Sequence, residues 1–327
     1  MNQILRSTVF GALLLGLPSL ASAQSLTAAG LADGFTFATF LTDSAQYGAL
    51  DATAAANGSV IVSGYAYGQL FSFAEGVGNT VNNLTLSDPH LTANVSGTPT
   101  GIATVGGNTY VTLLNQGIFQ VDPTTLALTQ LIGNGAISPA YGLWAGPGNT
   151  LIAGASTGIY QIDTLTAAIT AIGTPGFVDG VSVSPDGTTA YAEFNGNSIL
   201  AYSITTPTPG TPLATYAAPS PDGTGVISGG AFNGQIVVNN NDGTIGLIDP
   251  VGNTYTTIVT GMSRGDLVGP DANNGTLLVS DYNHLYRLGI EGGAIGSTDV
   301  PEPASMTLLG AGLLGLGALR RRLRKQG

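Results

Sequence analysis

The residues of this 327-residue sequence with the clearest chemical potential are carboxylates. Asp51, Asp179 and Asp266 each open or border a short segment of small residues that has the pattern of a β-strand. If these strands lie side by side around one axis, the three carboxylates meet at one end of it. Carboxylates grouped in this way could hold a metal ion, but no ligand motif is matched here and we do not favour a metal site.

A second set of aspartates recurs in similar surroundings. Asp122, Asp163 and Asp249 end segments of the type Gly-Ile-Phe-Gln-Val-Asp. Asp in this place either ligates calcium or caps a β-turn with its own side chain, and we favour the turn because each copy stands alone in its segment. Residues 271–275, Asp-Ala-Asn-Asn-Gly, begin like a calcium loop but lack its glycine position and its distal glutamate, which also indicates a turn.

Other signatures of catalysis are weak in this sequence. His90 and His284 are its two histidines, and they do not have the spacing of zinc ligands. There is no Gly-x-Ser-x-Gly nucleophile elbow and no phosphate-binding loop. Trp144, the single tryptophan, either lines a ligand-binding mouth or packs in the core. The sequence therefore assigns no catalytic residue, no metal ligand and no cofactor, and calcium stays open as the one cofactor alternative.

The elements that must position these residues repeat along the chain. Strand–turn–strand units recur with turn glycines 39 to 49 residues apart, at positions 58, 107, 148, 187, 234 and 275. Each unit contains four short strands, and the first is built of small residues that suit a crowded axis. Four antiparallel strands per repeat of about 45 residues are typical of a β-propeller. The sequence predicts an all-β, six-bladed propeller, with a seventh, degenerate blade or a β-helix as the alternatives.

The two ends of the repeat region predict how the ring closes. The last unit, which begins at Arg264, shows three clear strands and no obvious fourth. Residues 35–41, Phe-Thr-Phe-Ala-Thr-Phe-Leu, form a strand that belongs to no unit. We expect this strand to complete the last blade, because pairing it there removes an exposed sheet edge.

Charge and cysteine content restrict the functions open to this propeller. Residues 24–299 carry 18 acidic residues and only two basic ones, Arg264 and Arg287, which gives a net charge of −16. Such a surface repels nucleic acid, so no nucleic-acid partner is expected. The chain has no cysteine, so its stability must come from the packed core rather than from disulfides.

The N-terminus has the three parts of a secretory signal peptide. Arg6 is followed by an apolar run over residues 9–17 and by Ala21-Ser22-Ala23, a cleavage-site pattern. The alternative, a buried core helix, suits this short and well-bounded run poorly. The patterns at the two ends divide the chain into a signal peptide at 1–23, a propeller at 24–299 and a C-terminal segment at 300–327.

The C-terminal segment has three parts in a fixed order. Pro301-Glu302-Pro303 is followed by the uncharged apolar run 304–319. As a helix these 16 residues span about 24 Å, against about 30 Å for a bilayer core, so they predict one short and weak transmembrane helix. A basic cluster that should remain cytoplasmic and stop translocation closes the chain: Arg320, Arg321, Arg322, Arg324 and Lys325.

This tail resembles the PEP-CTERM sorting domain of exopolysaccharide-producing Gram-negative bacteria. The resemblance implies that an exosortase-type processing enzyme, a membrane protease-like transpeptidase, recognises Pro301, Glu302 and Pro303 as substrate residues. It also implies export, a transient stay in the inner membrane, and then a place at the cell surface or outside the cell. The alternative is an ordinary single-span anchor with a chance Pro-Glu-Pro before it.

Two functions of different class remain for the propeller. The first is a non-enzymatic surface or matrix protein whose propeller binds a partner such as an extracellular polysaccharide or a surface protein. The second is an exported metal-dependent hydrolase, lactonase or lyase that uses the central channel. Six-bladed lactonases of this kind hold their metal with Glu, Asn and Asp, but no residue of that motif can be matched in this sequence. Propellers host both classes, and we favour the first.

Overall fold

Short antiparallel sheets make up almost all of the structure, a computed structural model that describes residues 24–76, 81–137 and 140–296. The strands in chain order are β1 (Ser25–Leu26), β2 (Phe35–Thr42), β3 (Asp51–Ala54), β4 (Ser59–Gly64), β5 (Gln69–Ala74), β6 (Leu84–Thr85), β7 (Leu91–Asn94), β8 (Pro99–Val105), β9 (Asn108–Leu113), β10 (Gly117–Val121), β11 (Leu128–Gly133), β12 (Ala140–Ala145), β13 (Thr150–Ala155), β14 (Gly158–Asp163), β15 (Ile169–Gly173), β16 (Val181–Val183), β17 (Thr189–Phe194), β18 (Ser198–Ser203), β19 (Ala214–Ala217), β20 (Pro221–Val226), β21 (Ile236–Asn240), β22 (Ile245–Asp249), β23 (Thr254–Thr260), β24 (Gly265–Asp271), β25 (Thr276–Asp281) and β26 (His284–Ile290). Within these ranges helical structure is limited to α1 (Ala28–Ala32) and a 3₁₀ turn at Tyr65–Tyr67.

The strands form six blades around a central axis. From the inner to the outer edge these are blade 1 (β3, β4, β5, β7), blade 2 (β8 to β11), blade 3 (β12 to β15), blade 4 (β16 to β19), blade 5 (β20 to β23) and blade 6 (β24, β25, β26, β2). The two-residue strand β6 adds to the edge of blade 6, parallel to β2. Each inner strand lies beside the inner strands of the two neighbouring blades, and blade 6 returns to blade 1. The six-bladed propeller that the repeat predicts is therefore confirmed.

Ring closure also follows the sequence prediction. β2 pairs antiparallel with β26, from Phe35 opposite Ile290 to Thr42 opposite His284, and so supplies the outer strand that the last blade lacks. The chain entry adds a feature that the sequence analysis did not predict, because β1 pairs with the outer edge of blade 5 and α1 leads from there to β2. The five residues of α1 are too few for a helical period to show in the sequence. Residues 24–42 thus join blade 5 to blade 6.

Small residues are required where the inner strands crowd together. A Cβ atom on Gly101 would overlap the Tyr141 carbonyl of the next blade, and one on Gly142 would overlap the Asp179 carbonyl. Gly223 stands in the same relation to the Asp266 carbonyl. Because each of these contacts joins one blade to the next, the small first strand of every unit is a packing requirement of the ring.

Both faces of each blade pack against a neighbouring blade. All six residues of β4, for example, are buried, although the strand contains two serines. This two-sided burial explains why the strands read as almost continuous runs of small and apolar residues rather than as an alternation. Trp144 belongs to this core, so its predicted alternative as a core residue is the one observed.

The propeller has two unlike faces. The face where the inner strands begin is named the mouth face, and the face where they end is named the exit face. Over the seven residues of β24 the two faces are about 20 Å apart, at roughly 3.3 Å per residue.

The last described residues lie on the exit face. The Ile295 amide donates to the Gly275 carbonyl at 2.8 Å, the Ser228 amide donates to the Ile295 carbonyl at 2.9 Å, and the Ile295 side chain is fully buried. The chain therefore leaves for its C-terminal segment from a fixed point between blades 5 and 6. The predicted signal peptide at 1–23 and the predicted membrane helix within 300–327 lie outside the described residues. Among those described, no helix is long and apolar enough to cross a membrane.

Candidate acidic and aromatic site at the mouth

The mouth is built from one position that recurs in every blade. This position stands at or just before the start of the inner strand, and its residues are Leu50, Thr100, Tyr141, Asp179, Asp222 and Asp266. All but Asp222 line a cavity of about 170 Å³. Loops of the same face complete the lining with Tyr47, Tyr65 and Arg264. The cavity walls are thus carboxylates, phenol rings and one guanidinium.

Arg264 is the cation of this site, and each of its three side-chain nitrogen atoms donates one hydrogen bond. Its Nη2 atom donates to Asp222 Oδ2 at 2.6 Å, its Nη1 atom donates to the Tyr47 hydroxyl, and its Nε atom donates to Asn241 Oδ1. The guanidinium also lies 5.7 Å from the Tyr47 ring centre and 5.8 Å from that of Tyr282. Arg264 therefore neutralises Asp222 and orders the aromatic rim.

Two carboxylates of the cavity have no such partner. Within the described residues, no donor forms a hydrogen bond to the side chain of Asp179 or of Asp266, and neither side chain is in a salt bridge. Asp266 is only 5% exposed, so its carboxylate has little contact with bulk water. Asp179 is half-buried. Leaving a buried acceptor such as Asp266 without a donor is costly, which makes this pair the part of the mouth best suited to a ligand that brings donors.

Two further carboxylates lie beneath the cavity. Asp51 accepts from the Ala52 amide at 2.8 Å with Oδ1 and from the Ile102 amide at 2.9 Å with Oδ2, so it joins blade 1 to blade 2. Glu193 accepts from the Asp179 amide with Oε1, while its Oε2 atom is buried and unpartnered among the described residues. Asp51 and Glu193 therefore support the ring and the loop that carries Asp179.

The crowding of these acids in a desolvated space moves their pKa values upward. Burial raises the pKa of Asp179 to about 7; the Asp222 charge adds to this effect and Arg264 opposes it. Burial also raises the pKa of Asp51 to about 8, against the effect of its two backbone donors. Burial is again the main reason why the pKa values of Asp266 and Glu193 lie well above their ordinary range, and nearby carboxylates add to it. The mouth therefore changes charge near neutral pH.

Aromatic rings surround the acidic cavity. The Tyr47 ring packs edge-on against Tyr65 and Tyr282, with ring centres 5.9 and 4.9 Å apart. Tyr141 makes a similar contact with Phe177 at 5.0 Å, and the Phe177 side chain is 54% exposed. An apolar body with a polar or charged end suits such a rim.

A calcium ion does not fit the carboxylates as they are arranged. Asp51 and Glu193 use oxygens on backbone amides, and Asp222 holds Arg264. Across residues 24–76, 81–137 and 140–296, no three acidic, histidine or cysteine side chains are placed to share one metal ion. Calcium takes six to eight oxygens, and the two free carboxylates supply at most four of them.

The structure brings together part of the predicted set of inner-strand acids. Asp179 and Asp266 line one cavity, as predicted, whereas Asp51 lies one residue beyond the mouth position and turns into the ring. Asp222 and Arg264 were not among the predicted site residues. A signal for Asp222 was present, because Asp179-Gly180 and Asp222-Gly223 place the same dipeptide at the start of two inner strands.

The repeated third-strand aspartates form turns on the exit face. Asp122 accepts from the amides of Thr124 and Thr125, and Asp163 accepts from those of Leu165 and Thr166. Backbone donors hold the pKa of both carboxyls below the usual range. Asp249 Oδ1 accepts from the Val251 amide at 2.9 Å in the same way. These contacts are those of the favoured turn interpretation.

The remaining candidates are separate from the mouth cavity. Asp271 Oδ1 accepts from the Asn273 amide in the predicted turn, while its Oδ2 atom pairs with Arg287. His284 Nδ1 lies 3.0 Å from Asp281 Oδ1 at the start of β26. His90 lines a different cavity with Glu75 and Ser72. Residues 300–327, with Pro301, Glu302, Pro303 and the basic cluster, lie outside the described residues.

Comparison with protein families identifies the tail. Residues 299–322 match the PEP-CTERM protein-sorting motif, as the tail resemblance predicts. The match contains Pro301-Glu302-Pro303, the apolar run and the first three arginines of the basic cluster. The motif implies that the protein is exported and passes through a membrane-anchored state on its way to the cell surface. No curated protein sequence matches the chain.

Solved structures share the propeller fold at low sequence identity. A gluconolactonase from Xanthomonas campestris is 14% identical with a TM-score of 0.62, over 82% of this chain and 94% of that one. Regucalcin, a calcium-binding protein from Agrobacterium tumefaciens, is 15% identical with a TM-score of 0.60, over 79% and 97% of the two chains. A streptogramin B lyase is 15% identical with a TM-score of 0.52, over 79% and 98%. At such identities the likeness shows the fold alone.

Proposed function

We propose that this protein is an exported binding propeller that is held by its C-terminal segment and presents its mouth away from the membrane. The observation that carries the proposal is that the chain exit and the mouth cavity lie on opposite faces of the propeller. Ile295 fixes the chain exit on the exit face, whereas Asp179 and Asp266 open on the mouth face. A tether on one face leaves the other free for a ligand.

The tether is short enough to impose this orientation. Seven residues separate Gly296, the last described residue, from Ala304, where the apolar run begins. Even fully extended, they reach roughly 25 to 30 Å, at about 3.3 to 3.6 Å per residue. The exit face therefore stays close to the bilayer as long as the run 304–319 is inserted.

Processing of the tail is the second part of the proposal. Pro301 and Pro303 fix their own φ and push the residues before them into extended conformations, so Pro301-Glu302-Pro303 forms a stiff recognition segment. An exosortase-type enzyme is the partner that reads it, and the cluster Arg320, Arg321, Arg322, Arg324 and Lys325 stops translocation. The signal peptide at 1–23 starts the export.

The orientation can be measured because the chain has no cysteine of its own. Tyr65→Cys places one thiol on the mouth rim and Val251→Cys places one on the exit face, where Val251 is 95% exposed and Tyr65 is 38% exposed. In spheroplasts of a host without the processing enzyme, a bulky impermeant maleimide should label the Tyr65 variant faster. In detergent solution the Val251 variant should react faster. An unchanged order in spheroplasts would contradict the proposed orientation.

Glu302→Ala tests the sorting segment, with Glu291→Ala as the matched control upstream. In a host that has the processing enzyme, the Glu302 variant should be exported but remain as precursor in the inner membrane. The Glu291 variant should be processed like the wild type. Immunoblots of membrane and extracellular fractions measure the processing. Normal processing of the Glu302 variant would mean that the tail is an ordinary membrane anchor and not a sorting signal.

A second candidate function is an exported hydrolase, lactonase or lyase that uses the same mouth. It is favoured by Asp179, whose pKa of about 7 suits proton transfer near neutral pH, and by the neighbouring buried acids Asp266 and Glu193, whose pKa values are also raised. The fold that it shares with a gluconolactonase is consistent with this candidate. Turnover of an aldonolactone that is lost on Asp179→Asn substitution would favour the enzyme over the binding propeller.

A further inference from the structure

We infer that the mouth cavity binds the ammonium group of a small organic amine, with Asp179 and Asp266 as the acceptors. This inference rests on the proposed binding function and names the chemical class of its ligand. It starts from the hydrogen-bonding groups of the cavity, where acceptors outnumber the donors that serve them.

The cavity has acceptors that no protein donor serves. Arg264 donates hydrogen bonds to Asp222, Tyr47 and Asn241, and it acts on Asp179 and Asp266 through its charge without a hydrogen bond to either. An ammonium group supplies three donors and no acceptor, which is the complement of two unserved carboxylates. An anion or an acceptor-rich ligand would add to the imbalance.

Size and lining favour a head group with a short carbon chain. The cavity holds about 170 Å³, below the roughly 300 to 1,000 Å³ typical of pockets for whole drug-sized ligands. The Tyr47, Tyr65 and Tyr141 side chains form much of its wall and can cover methylene groups next to the charge. The ligand therefore inserts its ammonium end, and the rest of a larger molecule remains at the rim.

Long-range charge acts in the same direction. Residues 24–299 carry a net charge of −16, and Arg264 is one of only two basic residues among them. A cleft of one sign raises the local concentration of ligands of the other sign. A metal ion would gain from this field as well, but two free carboxylates do not complete its coordination.

Binding of a cation at this site must depend on pH. The charged and titratable groups that face Asp179 are Asp222, Arg264, Glu193, Asp266 and Tyr141, with Asp51 further along the ring. An ammonium ion binds the ionised form of Asp179, whose pKa is about 7 in the free protein. Affinity should therefore rise with pH between 6 and 8, by about tenfold for this group alone, and ionisation of Asp266, whose pKa is also raised, adds to the rise.

The experiment compares n-butylamine with 1-butanol by calorimetric titration of the full chain in detergent. Butylamine stays protonated from pH 6 to 8, so the pH profile reports on the protein. It should bind at least tenfold more tightly than butanol at pH 8. Asp179→Asn and Asp266→Asn should each weaken butylamine at least tenfold, and Asp179→Asn should flatten the pH profile. Asp163→Asn, an exit-face control, should leave binding unchanged, and melting temperatures verify that the variants fold.

Several outcomes would overturn the inference. These are equal binding of butanol, no effect of Asp179→Asn, or displacement of butylamine by calcium. Binding of a neutral sugar but not of butylamine, lost on Asp179→Asn substitution, would overturn the ammonium class and leave the binding function standing. Lactone turnover that is lost in the same variant would instead overturn the proposed function.

Discussion

The two arginines of the propeller lie on opposite faces and meet their acidic neighbours in different ways. Arg287 is 3% exposed and pairs with both Glu75 and Asp271 near the exit face, with its guanidinium 4.5 Å from the Phe40 ring centre. Arg264 is half-buried at the mouth and pairs with Asp222 alone, although Asp179 and Asp266 are close by. The exit face matches its buried charges, and the mouth does not.

The difference separates structural charge from charge available to a ligand. The Arg287 cluster joins β26 of blade 6 to the end of β5 in blade 1, so it fastens the ring where its two ends meet. At the mouth the acidic residues outnumber the cations, and burial keeps the carboxylates of Asp179 and Asp266 poorly solvated. Buried acidic groups without a cation are more typical of ligand-binding or catalytic sites than of purely structural regions.

Removal of the strand that runs between the two faces should have the largest effect. Deletion of residues 24–42 takes away β2, exposes the edge of β26 and opens the ring. We expect aggregation or a melting temperature lower by more than about 10 °C, measured by circular dichroism and size-exclusion chromatography. Deletion of residues 24–26 removes only β1 and serves as the control. A monomeric deletion protein with unchanged melting would show that β2 does not close the ring.

The paired arginine should matter more for stability than the mouth arginine. Arg287→Met leaves Glu75 and Asp271 buried without their cation, at a cost of about 3 to 5 kcal/mol. Arg264→Met breaks a pair whose side chains are 33% and 12% exposed, and it should cost less, about 1 to 3 kcal/mol. Urea denaturation of both variants measures the difference in the free energy of unfolding.

The cause of the stability loss in Arg287→Met can be checked by the same urea denaturation. Adding Glu75→Gln and Asp271→Asn to Arg287→Met removes the two stranded charges and should recover part of the stability. If Arg264→Met is the more damaging single change, the assignment of structural charge to the exit face is wrong.

The fold was readable from the sequence because it rests on local, repeated signals. The turn glycines gave the blade count, and the unpaired strand 35–41 gave the closure. Propeller sheets form from consecutive strands, so few long-range pairings had to be guessed. The exception, β1 on the edge of blade 5, comes from a two-residue strand with no pattern of its own.

The site was only partly readable because it depends on distant contacts. Arg287 meets Glu75 across 212 positions and Arg264 meets Tyr47 across 217, and no local pattern encodes such pairs. The repeated aspartates attracted attention but form turns, whereas the mouth acids differ from blade to blade. In a repeat fold, repetition marks the scaffold, and departures from it mark the site.

The unpaired state of the mouth can be tested through the pH dependence of stability. Asp179 has a pKa of about 7 in the folded protein, against the ordinary carboxyl pKa of 3.8 that applies to the unfolded chain. Between these values the folded state binds more protons than the unfolded state, so stability falls as pH rises from about 4 to 7 and then levels off. Asp179→Asn should raise the melting temperature at pH 8 by about 2 to 4 °C and leave it nearly unchanged at pH 4. An equal shift in melting temperature at pH 4 and pH 8 would mean that the Asp179 charge is already balanced by a cation in the folded protein.

The smallest effect is expected at an exit-face turn. Asp163→Ala removes the acceptor for the Leu165 and Thr166 amides in an exposed turn, so the melting temperature should fall by less than about 2 °C. Asp163→Asn keeps an acceptor oxygen and should have little effect. Because backbone donors lower the Asp163 pKa, its stabilisation is present above the ordinary carboxyl pKa and is lost as pH falls below it.

The same pair of variants decides between the two interpretations of the repeated aspartates. A turn cap needs an oxygen acceptor and no metal, so the small loss in Asp163→Ala should be the same with and without millimolar calcium. A calcium ligand would instead give a wild-type melting temperature that rises with calcium, and Asn would replace Asp poorly because its side chain carries no charge. Melting of the wild type and both variants, with calcium and with a chelator, separates the two. A calcium-dependent rise that is absent in both variants would place a calcium site on the exit face and overturn the division of roles between the two faces.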